Sequence, residues 1–267
     1  MNVALIAFDP KTRVLSESFK RCQRILEFCR AQEIDFCIFP ETTFSGFSFP
    51  SIQLAEFYEN SPTIEFFRAE AAKLELTVMF GLFLKSLSSE CVYNSAIVVD
   101  KNGEIASRYN KIHLFSQARE HQFNTQGDSI EKIAIQNVHF GVSICYDLRF
   151  PEMFMNMSKN CPALVNISNW PSKREFHWRC LLKARAIENQ SFVLGVNRSG
   201  FDIDGLHFNG ISRVYDPSGG LVKPRVFLEE EKVSVYSVDF SQVEKVRENF
   251  RALDDRRFVS SLLNSSE

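Results

Sequence analysis

The chain has 267 residues, 45% of them hydrophobic and 24% charged, with a formal net charge of -2. That balance suits one large α/β domain or two small ones, and it excludes the electrostatic footprint of a protein that binds nucleic acid or an anionic membrane surface. Seven cysteines without Cys-x-x-Cys spacing argue against a disulfide framework or a zinc site, and for a reducing, cytoplasmic setting.

The first apolar run, 3–8, has no basic region before it and reads as a strand, not a signal peptide. Helical periodicity follows over 14–32, then a strand at 36–39 and a second helix at 63–74. Strands at 78–84, 95–99 and 105–108 come consecutively, the last two joined by the turn Asp100-Lys-Asn-Gly103. Strand and helix then alternate: 140–144, 153–159, 163–167, 174–189 and 192–196. Strands at 212–215 and 233–239 and a last helix at 241–247 complete the pattern. No linker, repeat or bilayer-length apolar window divides the chain, so the expected architecture is α/β, one domain of two face-to-face sheets with helices outside.

Chemistry stands at the ends of these strands. In Cys145-Tyr-Asp-Leu-Arg-Phe-Pro-Glu152 a thiol sits where an apolar strand passes into a helix. That turn exposes the side chain, and a helix amino terminus nearby would lower the thiol pKa. The plain alternative for Cys145 is a small apolar filler. Phe36-Cys-Ile-Phe39 runs directly into Pro40-Glu41, and the flank Thr42-Thr-Phe-Ser-Gly-Phe-Ser-Phe49 is aromatic and uncharged. A carboxylate desolvated there suits a general base, although a loop glutamate is more often simply solvated. Lys111 lies among apolar neighbours after the strand at 105–108, while Glu120 gives no signal by itself. Together these form an acyl-transfer set: Cys145 as nucleophile, Glu41 as base, Lys111 as oxyanion stabiliser. A Cys–His arrangement using His113 or His177 stays open, and no cluster has metal-ligand spacing.

Phe39-Pro-Glu41, Tyr109-Asn-Lys111-Ile-His-Leu-Phe115 and Ile144-Cys145-Tyr-Asp-Leu-Arg-Phe-Pro-Glu152 resemble, in order and spacing, the three signature segments of the nitrilase superfamily of carbon–nitrogen hydrolases. The resemblance implies a four-layer α-β-β-α sandwich, a Glu-Lys-Cys triad, no cofactor or metal, and usually a homodimer or a larger assembly. It also implies that Glu120 positions the lysine and substrate, and that the backbone N–H of Tyr146 completes the oxyanion hole. One hydrolase domain is expected over 1–267, with 241–267 a C-terminal extension used in subunit contacts.

Further segments narrow the branch: Asn169-Trp-Pro-Ser-Lys-Arg174, Gly195-Val-Asn-Arg-Ser-Gly200 and Asp216-Pro-Ser-Gly219 resemble the omega-amidases, especially 2-oxoglutaramate amidases. These hydrolyse the terminal amide of a 2-oxo dicarboxylate monoamide to ammonia and the diacid, clearing keto acids left by transamination, including in methionine salvage. The expected partners are a small amide and water. Arg174 is the candidate for a remote substrate carboxylate, because a guanidinium grips it bidentately. Asn169 and Trp170 belong to its loop, and Phe44, Phe47 and Phe49 are candidates for the pocket wall. Arg149–Glu152 and Arg185–Glu188 read as structural ion pairs. Two rival readings are an amidase for deaminated glutathione or another linear amide, and a catalytically silent dimeric interaction protein on the same fold.

Overall fold

A computed structural model of the chain describes residues 1–10 and 14–257. The first sheet runs, edge to edge, Val226–Leu228, Val233–Ser237, Asn2–Ile6, Phe36–Ile38, Thr77–Ser86, Ser89–Val99, Ile105–Asn110, with Glu56–Phe57 paired beside Thr77–Ser86. The second runs Leu221–Val222, Arg213–Tyr215, Phe192–Asn197, Ala163–Ser168, Val138–Ile144, Lys132–Ile135. Five α-helices accompany them among the described residues: α1 Leu15–Ala31, α2 Pro62–Leu74, α3 Pro151–Met157, α4 Glu175–Asn189 and α5 Gln242–Asn249.

Period-two alternation along each strand sorts the side chains into layers. Val3, Leu5, Phe36, Ile38 and Met79 point from the first sheet into a core shared with Phe140, Val142, Ile144 and Val165 of the second. Phe36 and Phe140 meet edge to face with ring centroids 5.3 Å apart. The intervening residues Ala4, Ile6, Cys37, Val78 and Phe80 face outward, into a second core with Cys22, Leu26 and Phe67 of α1 and α2. On the far side α3 and α4 lie close against glycines. A Cβ at Gly141 would stand 2.9 Å from Met157 of α3, and one at Gly195 only 2.4 Å from Leu182 of α4. The result is the expected α-β-β-α order of layers.

All ten predicted strands and five helices occur, with ends shifted by a few residues. The periodicity missed Glu56–Phe57, Lys132–Ile135, Ser199–Phe201, His207–Asn209, Leu221–Val222 and Val226–Leu228. These are two to four residues long, too short to establish a period. Of the expected C-terminal extension, α5 and the residues to 257 return to the body: Arg247 donates to the carbonyls of Ser158, Asn189 and Gln190. Residues 258–267 lie outside the described residues.

Parallel pairing places Asn2–Ile6, Phe36–Ile38 and Thr77–Ser86 side by side in the first sheet, and Val138–Ile144, Ala163–Ser168 and Phe192–Asn197 side by side in the second. The carboxyl ends of Phe36–Ile38, Val138–Ile144 and Ala163–Ser168 carry Glu41, Cys145 and Asn169 toward one cavity. The antiparallel strand Ile105–Asn110 delivers Lys111 to the same place.

Candidate active site

Glu41 reaches the site because Gly81 lets two backbones touch. A Cβ there would lie 2.6 Å from the amide nitrogen of Thr42 and 2.7 Å from the Cα of Glu41, so only glycine fits. Thr43 N–H donates to the Gly81 carbonyl at 2.7 Å and fixes the approach. The Glu41 carboxylate is fully buried, and fixed donors meet both of its oxygens. Its Oε1 accepts from Lys111 Nζ at 3.1 Å and Asn94 Nδ2 at 2.8 Å, and its Oε2 from the Asn169 backbone N at 2.8 Å and Nδ2 at 3.2 Å.

Lys111 Nζ also donates to Glu120 Oε2 at 2.9 Å, and all three charged side chains are fully buried. Burial pulls the Lys111 pKa down, but Glu120 and Glu41 more than offset it, and the ammonium is held above its ordinary range. Glu120 accepts further bonds from the Phe115 N–H at 2.7 Å, Asn94 Nδ2 at 3.1 Å and Asn124 Nδ2 at 3.2 Å. Asn94 therefore bridges the two glutamates. A buried cation between two carboxylates, each saturated by fixed donors, has no freedom to move.

Cys145 opens the short 3₁₀ turn Cys145–Arg149 and takes a left-handed backbone with φ of +47°. Thr42, beside Glu41, and Arg119, beside Glu120, are likewise left-handed at +42° and +56°. Non-glycine residues in that region carry roughly 1–3 kcal/mol of strain each, and such strain concentrates where geometry is over-determined. The expected lowering of the thiol pKa is not what the fold produces. Burial, followed by the Glu41 charge, raises it well above the ordinary value, and Lys111 only partly opposes this. The thiol Sγ donates to the Asn169 carbonyl at 3.9 Å. His113 is bound to Asp147 and His177 to Arg149, so each ring nitrogen Nδ1 is engaged away from the thiol.

Above Cys145 lies a cavity of about 390 Å³, walled by Phe47, Phe49, Phe115, Tyr146, Trp170 and Phe208. Lys111, Cys145 and Asn169 reach it, as do Arg149 and Arg174. The Arg174 guanidinium lies over Phe115 at 5.7 Å and that of Arg149 over Trp170 at 4.9 Å. Among the described residues neither has an ion-pair partner. Arg149 thus leaves Glu152 and faces the cavity, a correction to the sequence reading. Arg185 does pair with Glu188, at 2.8 Å, and in addition grips the Leu148 carbonyl of the cysteine turn.

Phe44 is the other correction. It lies in the outer core, stacked with Phe67 at 5.5 Å and edge-on to Phe8, away from the cavity that Phe47 and Phe49 line. Asn94 was invisible in the sequence because a strand asparagine carries no signal until its neighbours are known. The hairpin of Ser199–Phe201 and His207–Asn209 was also missed, and it brings Asp202, Ile203, Asp204 and Leu206 to the cavity. The pair Asp204-Gly205 in Phe201-Asp-Ile-Asp-Gly-Leu206 was the available turn signal.

The sequence profile of the carbon–nitrogen hydrolase family matches residues 2–248. A 2-oxoglutaramate amidase of Bacillus subtilis (strain 168) is 30% identical over 259 residues, 96% of this chain and 97% of that protein. An omega-amidase of Escherichia coli (strain K12) is 30% identical over 221 residues, covering 83% of this chain and 84% of its own. The crystal structure of a carbon–nitrogen hydrolase superfamily protein from Xanthomonas campestris, with an arsenic adduct in its active site, superposes with a TM-score of 0.87. It is 30% identical, and the match covers 97% of this chain and 98% of that one. The chain belongs to the carbon–nitrogen hydrolase family. Its enzymatic class is that of an amidase, a hydrolase of carbon–nitrogen bonds.

Proposed function

We propose that the protein is an omega-amidase, releasing ammonia from the terminal amide of 2-oxoglutaramate or 2-oxosuccinamate through a cysteine acyl-enzyme. The observation that carries this reading is the buried Glu41–Lys111–Glu120 cluster beside the Cys145 thiol, on the floor of a cavity that the guanidiniums of Arg149 and Arg174 reach. The names of the Bacillus and Escherichia relatives support the same substrate class.

In the proposed reaction Cys145 Sγ attacks the amide carbon while its proton passes to Glu41. The raised thiol pKa gives the base its task, removal of the proton as the nucleophile attacks. The carbonyl oxygen, now an oxyanion, is met by Lys111 Nζ and the Tyr146 N–H, an amide in the first turn, where no intrahelical carbonyl is available to it. Glu41 returns the proton to nitrogen, the C–N bond breaks, and ammonia leaves a thioester. Glu41 then takes a proton from water as its oxygen attacks the thioester. The C–S bond breaks, the thiol recovers that proton, and the diacid departs. Glu120 keeps Lys111 in place, and Asn169 fixes the base through Oε2. Arg174 receives the remote carboxylate, with Trp170 and Asn169 beside it.

The cavity volume favours a second reading. At about 30 Å³ per water it holds the equivalent of roughly 13 waters, more than a ten-atom monoamide fills, so a longer linear amide such as deaminated glutathione also fits. A panel of 2-oxoglutaramate, glutamine and deaminated glutathione separates the two by kcat/KM. The covalent step is checked by quenching the reaction and mapping the acyl adduct, which is expected on Cys145 and absent from Cys145→Ala. An adduct on Cys37 or Cys161 defeats the assignment. A homodimer in the cytoplasm, with the segment from 241 onward at the subunit contact, completes the proposal, and light scattering tests the assembly.

A further inference from the structure

Asp147 is absent from the reaction just described, yet it touches both strand ends that supply it. The side chain is fully buried. Its Oδ2 accepts from the Tyr109 hydroxyl at 2.7 Å and the Ile144 N–H at 2.9 Å. Its Oδ1 accepts from the His113 N–H at 2.9 Å and from His113 Nδ1 at 2.8 Å, which requires the tautomer protonated at Nδ1. Tyr109 precedes Lys111 by two residues and His113 follows it by two. Ile144 precedes Cys145 by one, and Asp147 follows it by two. One carboxylate therefore brackets the lysine and the cysteine in space. The bracket is reinforced from both sides: the Ile112 N–H donates to the Tyr109 oxygen at 3.1 Å, and the His113 ring stacks on Phe150 at 3.8 Å with planes 7° apart.

The bond from Ile144 N–H also closes a loop around the left-handed Cys145, tying the residue before it to the residue two after it and so opposing relaxation of the turn to an ordinary conformation. We propose that Asp147 is the positioning residue of the site: it sets the Lys111–Cys145 separation and holds the strained cysteine backbone in its reactive orientation. This rests on the reading of Cys145 as nucleophile and Lys111 as its electrostatic partner. Asp147 acts only through those two residues and touches no reacting atom.

Two variants test it. Asp147→Asn keeps the shape, but its amide cannot accept on both sides, so either the Tyr109–Ile144 pair or the His113 pair loses its acceptor. Tyr109→Phe keeps the apolar ring in the core and removes one arm of the bracket together with the acceptor of the Ile112 N–H. A misplacement of about 1 Å costs on the order of 10²-fold in rate, so kcat of Asp147→Asn is expected to fall by about that factor with KM little changed. Tyr109→Phe shows a smaller fall of the same kind. A second readout needs no substrate: the pH profile of iodoacetamide alkylation at Cys145. Lys111 opposes the rise of the thiol pKa, so letting it drift shifts the alkylation profile of both variants to higher pH. Folded variants with wild-type kcat and an unshifted profile, or a lowered Tm alone, overturn the proposal. Should Asp147→Asn fail to fold, Tyr109→Phe decides by the same two measurements. Activity in Cys145→Ala would instead remove the underlying catalytic reading, independently of the alkylation result.

Discussion

Replacing Glu41 by glutamine changes the charge and one donor–acceptor site while keeping the shape, and the consequences for stability and rate can be sized separately. The carboxylate accepts four bonds, two at each oxygen, from Lys111, Asn94 and Asn169. A glutamine offers one oxygen and one NH₂, so one pair of donors faces another donor whichever way the amide is turned. Removing one partner of a buried ion pair costs roughly 3–5 kcal/mol when the other is left alone. Lys111 is not left alone, because Glu120 stays at 2.9 Å. Asn94 Nδ2 likewise keeps Glu120 and Asn169 Nδ2 keeps Thr42, so a single unsatisfied donor sets the loss, about 1–3 kcal/mol. In a protein of this size each kcal/mol lowers Tm by about 2–4 °C, giving a fall of roughly 2–12 °C. The loss of a general base removes a further factor of about 10²–10⁴ in kcat, or about 2.7–5.4 kcal/mol of barrier at 1.36 kcal/mol per decade. Ammonia release from 2-oxoglutaramate at 25 °C, with a circular dichroism melt of the same sample, measures both. A folded Glu41→Gln enzyme with near wild-type kcat refutes the assignment of the base.

Lys111→Met leaves Glu41 and Glu120 sharing only the Asn94 amide and removes the cation from the oxyanion site, so kcat is expected to fall at least about 10²-fold. In the wild type the raised Lys111 pKa contributes stability that is complete below about pH 10 and is lost only as pH rises into stronger alkali, which a series of melts against pH reads. Arg174→Lys keeps the charge and loses the planar fork, so KM for 2-oxoglutaramate should rise by roughly tenfold while kcat changes less. A neutral amide turned over with the same loss would make the residue structural. Phe44→Ala should cost about 3–5 kcal/mol in a denaturant titration and leave KM unchanged, since the ring packs in the outer core. A specific rise in KM would return it to the pocket.

The alternation of apolar and polar residues determined by itself that this chain makes strands and helices in the observed order. A residue following a strand must emerge at its end, so Glu41, Lys111 and Cys145 were legible as presented groups before any pairing was known. Tertiary structure decided which faces converge. Asn169 meets Glu41 across 128 residues of chain, and Lys111 meets it across 70. Local periodicity cannot register such distances, and for that reason Asn94, Asp147 and the Ser199–Asn209 hairpin passed unnoticed. Phe44 and Phe47 share one aromatic loop, and composition treats them alike. The left-handed turns at Thr42 and Gly46 send the first into the core and leave the second at the cavity. The direction of the Cys145 pKa shift escaped the sequence for the same reason. A helix start is local and would lower the thiol pKa, but burial and a carboxylate from the other sheet, which only folding supplies, are stronger.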